Sequence, residues 1–127
     1  MEINTKNTSI RTYDDEGFRL RAGCICYKKC SEKMLVLLVC YHSADKWILP
    51  AGGIDPGEPP NVAAERETIE EAGVCGTLGD LLEVLTVSKC LSFQNSTRNT
   101  RTHIYSLQVT EIIHEKYWKE SISLITY

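Results

Sequence analysis

Three glutamates, Glu67, Glu70 and Glu71, fall within a single short stretch, directly after Arg66 and just ahead of Gly73. At about 100° per residue a helix would place the three carboxylates within an arc of about 100°, with Val62, Thr68, Ile69 and Ala72 on the opposite side. Carboxylates so crowded repel one another and weaken the helix unless a cation neutralises them. An all-oxygen cluster suits a hard ion such as Mg²⁺ or Mn²⁺ better than zinc. A solvated acidic helix face has the same appearance, so the glutamates alone leave both readings open.

The residues around them narrow the choice. Gly52 is followed after five residues by Glu58, and Glu58 after seven by Arg66-Glu67-Thr68-Ile69-Glu70-Glu71-Ala72-Gly73-Val74. For Gly52 and Gly53 the physical role is close backbone approach, to phosphate or metal, where a Cβ would intrude.

The supporting elements follow from pattern. Val62 to Ala72 predicts a helix, with Asn61 as its cap and Gly73 at the left-handed position after its end. Ala51 to Pro60, rich in glycine and proline, reads as a loop. Ala22 to Tyr27 and Leu35 to Tyr41 read as an antiparallel strand pair, and Trp47 to Leu49 is a short apolar run stopped by Pro50. Leu81 to Val87 and Thr102 to Thr110 read as a second pair of strands, joined by a long loop from Ser88 to Thr100. After Ile113 the apolar residues Tyr117, Trp118, Ile122, Leu124 and Ile125 predict a short strand or an irregular closing segment.

With 127 residues, 43% hydrophobic and 24% charged, one α/β domain over residues 11–127 is expected, preceded by a flexible arm at 1–10. A net charge of -3 disfavours a partner of duplex nucleic acid. The longest apolar run, Met34 to Val39, is far short of the roughly 20 residues of a membrane span. Without a leader-like apolar segment after Met1 to Ile10, a cytoplasmic protein is expected, with the nucleus as a second compartment. The six cysteines then read as buried or half-buried thiols in a reducing compartment; Cys24, Cys26 and Cys30 lack the second pair or nearby histidine that zinc would need.

The spacing from Gly52 to Val74 resembles the Nudix box, G-x5-E-x7-R-E-U-x-E-E-x-G-U, with Thr68 where an aliphatic residue is usual. The resemblance implies a Nudix fold: an α/β/α sandwich with a curved mixed sheet and a loop-helix-loop catalytic motif. It implies that Glu67, Glu70 and Glu71, with Gly52, hold Mg²⁺ or Mn²⁺ and carry catalysis, while Glu58, Arg66 and Gly73 are structural positions of the box.

Beyond the box, Arg11 to Ala22, Lys46 to Gly53, Gly73 to Gly79 and Arg101 to Glu111 are similar to the diphosphoinositol polyphosphate phosphohydrolases. That branch implies removal of the β-phosphate of inositol pyrophosphates and attack on diadenosine polyphosphates. Such polyanions need converging cations; Arg11, Arg19, Arg21 and Arg98, with the Gly52-Gly53 backbone, match the branch's substrate-binding positions. Arg19 and Arg21 lie two apart and so share one strand face. The chain departs from the branch in having Thr100 in place of a usual histidine, a longer Ser88 to Thr100 segment, and an end at Tyr127, where members continue into a basic segment and a final helix. Without that helix, one sheet face is expected to be left for the 117–127 tail to cover, or the domain to be marginal. Two alternatives stand beside this reading. One is a Nudix hydrolase for another nucleoside diphosphate derivative, with Tyr13, Phe18 and Trp47 available for stacking on a base. The other is a non-catalytic inositol phosphate binding module.

Overall fold

Apolar runs on both sides of a polar turn form the first hairpin. The computed structural model describes residues 10–41, 46–88, 99–113 and 121–126. In it β1 (Arg19–Cys30) and β2 (Lys33–Tyr41) pair antiparallel from Tyr27↔Val36 to Cys30↔Lys33. The N-terminal half of β1 has a different neighbour on that side, β4 (Ala51–Gly53), which pairs antiparallel from Arg21↔Gly53 to Gly23↔Ala51. Its other side is taken by β6 (Thr100–Ile112), parallel to it from Arg19↔Thr100 to Tyr27↔Gln108.

Outside this centre, β3 (Lys46–Ile48) and β7 (Ser121–Thr126) pair with β2, and β5 (Val74–Val87) pairs antiparallel with β6. The sheet is therefore mixed, in the order β3-β2-β1-β6-β5, with β4 beside β1 and β7 beside β2. Its helix, α1 (Pro60–Ala72), packs on the face formed by alternate residues of β1. Ala22, Cys24 and Cys26 meet Ala63, Ala64, Ala72 and Val74 there, together with Leu37, Val39, Leu107 and Val109. Burial of Leu37 and Leu107 contributes roughly 2–3 kcal/mol each. A second helix is not found among the described residues.

Several expectations need correction. Against the expected loop from Ala51, Ala51–Gly53 is a strand because the neighbouring strand carries Gly23. A Cβ on Gly23 would overlap Pro50 O and Ala51, whereas with glycine the Cys24 amide donates to Pro50 O at 3.2 Å and the Ile54 amide to Leu20 O at 3.1 Å. The helix starts at Pro60, not at Val62, and Asn61 does not cap it. A residue before proline is steered out of the helical region, so Pro59 stays extended (φ -67°, ψ 147°) and Pro60 takes the first helical position, where its missing N–H costs nothing. Gly73 does close the helix, at φ 66°, donating to Ile69 O at 3.0 Å.

The helix is also rotated from the expected wheel. Ala63, Ala64, Glu67, Thr68 and Ala72 are buried, while Val62 and Ile69 are exposed. Small residues let α1 sit close to β1, and Thr68 fits beneath it because its Oγ1 donates to Ala64 O at 2.8 Å. Among the cysteines, Cys24 and Cys26 are buried but Cys30 is exposed beyond the hairpin's packed part. Ser121–Thr126 lengthens the sheet along the free side of β2 rather than forming a layer over it. No helix among the described residues is long and apolar enough to cross a membrane. The arm at 1–9, most of the Ser88 to Thr100 segment with Cys90 and Arg98, and Tyr117 and Trp118 lie outside the described residues.

Candidate active site

The loop between β4 and α1 is short of regular structure but not of bonds. Glu58 N–H donates to Asp55 O at 3.0 Å, Asp55 N–H donates to Glu58 Oε1 at 2.9 Å, and Gly57 allows the turn with φ 77°. Arg66, in the second turn of α1, reaches back and grips this turn with its whole fork. Nε and Nη2 donate to the two oxygens of Glu58 at 2.8 Å each, and Nη2 also donates to Gly53 O at 3.0 Å. Nη1 donates to Glu67 Oε2 at 3.0 Å and Glu70 Oε1 at 3.3 Å. This bidentate geometry is the strong form of the arginine–carboxylate pair. It lowers the Glu58 pKa, with the Arg66 hydrogen bond as the largest cause, and raises that of Arg66 in return.

The glutamates on α1 differ in exposure. Glu67 is 5% exposed, and it can be buried because Gly52 leaves room: a Cβ on Gly52 would overlap its carboxylate. Glu71, one helical turn on, accepts the Ala51 amide through Oε1 at 3.2 Å, and Glu70 stands at the exposed margin. A strand alternates its faces, so the next residue, Gly53, looks the other way, and a Cβ there would lie 2.7 Å from Arg19 Nη2. The Ala51–Gly53 backbone thus has carboxylates on one side and arginines on the other. Arg21 Nη2 donates to Ala51 O at 3.2 Å, while its buried Nε has no hydrogen-bond acceptor among the described residues.

A cleft of about 590 Å³ runs along this backbone, and it brings Arg11, Arg19 and Arg21 together with Gly52, Gly53 and the three glutamates. Glu58 supports the cleft through Arg66, and Gly73 lies at the far end of α1. Arg98 is outside the described residues. The donor chemistry, oxygen throughout, fits a hard divalent cation. The present rotamers are held elsewhere: among the described residues no three acidic, histidine or cysteine side chains gather around one point, since Arg66 holds Glu67 and Glu70 while the Ala51 amide holds Glu71. A cation that draws the carboxylates together must compete with Arg66 for them.

Two contributors escaped the sequence reading. Gly23 admits β4, and a lone glycine within a strand pattern is the local sign of such close approach. Arg101, whose ion pairs with Asp14 and Glu16 span most of the chain, has no local sign at all.

The comparisons with known proteins agree with this architecture. The NUDIX domain matches residues 17–123, and the chain belongs to that family. It is 43% identical over 122 residues to human diphosphoinositol polyphosphate phosphohydrolase 3-beta, covering 96% of this chain and 69% of that protein. To rat diphosphoinositol polyphosphate phosphohydrolase 2 it is 42% identical over 119 residues, covering 94% of this chain and 61% of that protein. The chain thus spans under two-thirds of the rat relative's length. In fold it is similar to a C. elegans Ap4A hydrolase in a binary complex, at a TM-score of 0.60 and 23% identity, over 84% of this chain and 78% of that one.

Proposed function

We propose that this protein is a divalent-cation-dependent hydrolase of phosphoanhydride bonds that removes the β-phosphate of diphosphoinositol polyphosphates. The observation that carries the reading is the two-sided Ala51–Gly53 backbone, with Glu67 against Gly52 and Arg19 against Gly53, in a cleft that Glu70, Glu71, Arg11 and Arg21 also line. Glu67, Glu70 and Glu71, with the Gly52 backbone, would hold Mg²⁺ or Mn²⁺, which when bound supplies charge neutralisation at phosphorus and lowers the pKa of water. The arginines bind and orient the phosphates. Glu58 and Arg66 keep the glycine backbone in register with the glutamates.

The makeup of the cleft favours an inositol over a nucleoside. No aromatic side chain is among the described residues that line it: Phe18 lies under Arg101, and neither Tyr13 nor Trp47 borders the cleft. Among the described residues a base finds no aromatic surface there, whereas a polyanion meets Arg11, Arg19 and Arg21. Diadenosine polyphosphates, rich in phosphate as well, are the secondary substrate, in line with the name of the Ap4A hydrolase neighbour.

The test is phosphate release from diphosphoinositol pentakisphosphate with Mg²⁺, for wild type and Glu70→Gln, with diadenosine hexaphosphate and ADP-ribose run alongside. Glu70→Gln keeps the shape but removes a charged metal ligand, so the rate is expected to fall by about 10² or more. A folded wild type that binds the inositol pyrophosphate without releasing phosphate would make the protein a binding module. Preferential turnover of ADP-ribose would transfer it to the nucleoside class.

A further inference from the structure

The arginine side of the cleft depends on a turn whose residues do not line it. Asp14 to Phe18 closes on itself: Asp14 N–H donates to Phe18 O at 2.9 Å, Gly17 N–H donates to Asp14 O at 3.0 Å, and Asp14 Oδ1 accepts the amides of Glu16 and Phe18, each at 2.9 Å. Gly17, at φ 85°, supplies the left-handed residue that the turn needs. Arg11 lies before this unit and Arg19 directly after it, at the first position of β1, so the turn guides Arg11 to the cleft and bears on the end of the strand from which Arg19 projects.

Arg101, on β6, fastens the turn. Its Nη1 pairs with Asp14 Oδ2 and lies 2.8 Å from Glu16 Oε1, and its guanidinium sits 3.9 Å from the centre of the Phe18 ring. Two further bonds tie the turn's flanks to the body: Arg19 N–H donates to Asn99 O at 2.8 Å, and Thr12 Oγ1 donates to Ile54 O at 2.7 Å. Arg101 does not border the cleft, and two carboxylates already surround it, so it offers no net positive charge to an incoming phosphate.

We propose that Arg101 is a positioning residue for polyphosphate binding, which holds the Asp14–Phe18 turn so that Arg11 and Arg19 converge on the substrate. This deepens the hydrolase reading above and rests on it. Cations fixed before the ligand arrives lose less freedom on binding than cations carried by a wandering segment. Removing the anchor leaves the turn's own hydrogen bonds and the ties of its flanks intact but lets the turn tilt between them, so affinity falls while the metal-side glutamates stay in place. Because one nitrogen makes both ion pairs, an ammonium at that spot can replace it, and lysine is expected to serve.

The experiment uses the full chain as wild type, Arg101→Ala, Arg101→Lys, Arg11→Ala and the Arg11→Ala/Arg101→Ala double variant. KM and kcat are measured on diphosphoinositol pentakisphosphate, the Kd of inorganic pyrophosphate by calorimetry, and Tm on each protein. For Arg101→Ala, KM and Kd are expected to rise about tenfold with kcat within about threefold, and Arg101→Lys to recover most of the loss. The double variant is expected to be little worse than the worse single variant, because a displaced Arg11 has little left to lose. Multiplying effects in the double variant overturn the proposal, as does an unchanged KM in folded Arg101→Ala or a loss confined to kcat. Should Arg101→Ala fail to fold, Asp14→Asn keeps the acceptor at Oδ1 while removing the charge that Arg101 pairs with, and an unchanged KM there overturns the proposal equally. A folded wild type that neither hydrolyses the inositol pyrophosphate nor binds pyrophosphate defeats the polyphosphate reading itself. A competent wild type beside an equally competent Arg101→Ala defeats the positioning role alone.

Discussion

Two arginines pin two turns beside the same cleft, and they do so with different parts of the same side chain. Arg66 uses every nitrogen of its fork: it holds Glu58 bidentately, donates to the Gly53 carbonyl, and touches Glu67 and Glu70 as well. Arg101 uses one nitrogen and its flat face, for Asp14, Glu16 and Phe18. The most tightly held partners also differ in burial: the side chains of Glu58 and Glu67 are 12% and 7% exposed, against 24% and 66% for Asp14 and Glu16, while the outer partners of Arg66, Glu70 and Asp55, are 37% and 47% exposed. At the first clamp the geometry of the guanidinium matters, and at the second its charge and position matter.

Lysine substitution separates the two most sharply. Arg66→Lys can satisfy one carboxylate but not two oxygens of Glu58, the Gly53 carbonyl and Glu67 together. It is expected to lower kcat/KM by about 10² or more and to destabilise the fold by about 2–3 kcal/mol, from nearly buried carboxylates left without their partner. Arg101→Lys is expected to stay within about threefold of wild type in kcat/KM. Steady-state kinetics and thermal melts of the two variants check this, and equal losses would erase the distinction between fork and point charge.

Glycines sharpen the same contrast at a smaller scale. In Gly52→Ala the new methyl overlaps the Glu67 carboxylate, so the carboxylate or the strand must move. Activity is expected to fall about tenfold to a hundredfold, with a stability loss of about 1–3 kcal/mol. Gly17, in the turn held by Arg101, has open space around its Cβ position but φ 85°. Gly17→Ala therefore introduces backbone strain of about 1 kcal/mol and no clash, and should lower Tm slightly with little effect on kcat. A Gly52→Ala enzyme of wild-type rate would show that Glu67 does not depend on this close approach.

The contrast also explains which parts were legible in the sequence. Glu58, Arg66 and the glutamates interact across one loop and one helix, so their relation is written in a spacing that a reader can count. The Arg101 clamp joins β6 to a turn preceding β1, and only the parallel pairing of those strands brings them together. Strand identities were readable from apolar runs, but the β4 segment was hidden because Ala-Gly-Gly has no strand propensity of its own; Gly23 across from it creates the space. The orientation of α1 was misread for a related reason. A wheel that counts hydrophobicity sends Val62 and Ile69 inward, whereas the close-packed sheet admits the small Ala63, Ala64 and Thr68, and a glutamate that Gly52 and Arg66 accommodate.

Acid should loosen the two clamps unequally, and this is the smallest effect expected. Arg66 keeps the Glu58 carboxyl below its ordinary value of 4.5, and the Phe18 amide, with Arg101 after it, keeps Asp14 below 3.8. A group whose pKa is lower when folded binds fewer protons in the native state than in the unfolded one. Its stabilisation is therefore full above the unfolded value and is lost as pH falls through the folded one. Tm is expected to hold steady above about pH 5 and to decline below about pH 4. Glu58→Gln should start from a lower Tm and flatten that decline, because the titrating partner of Arg66 is gone. Asp14→Asn should flatten it less, since its carboxylate is more exposed and solvent screens the exchange with Arg101. If Asp14→Asn flattens the acid limb as much as Glu58→Gln does, then the open clamp is as strongly coupled to folding as the enclosed one, and the difference in burial does not set their strengths.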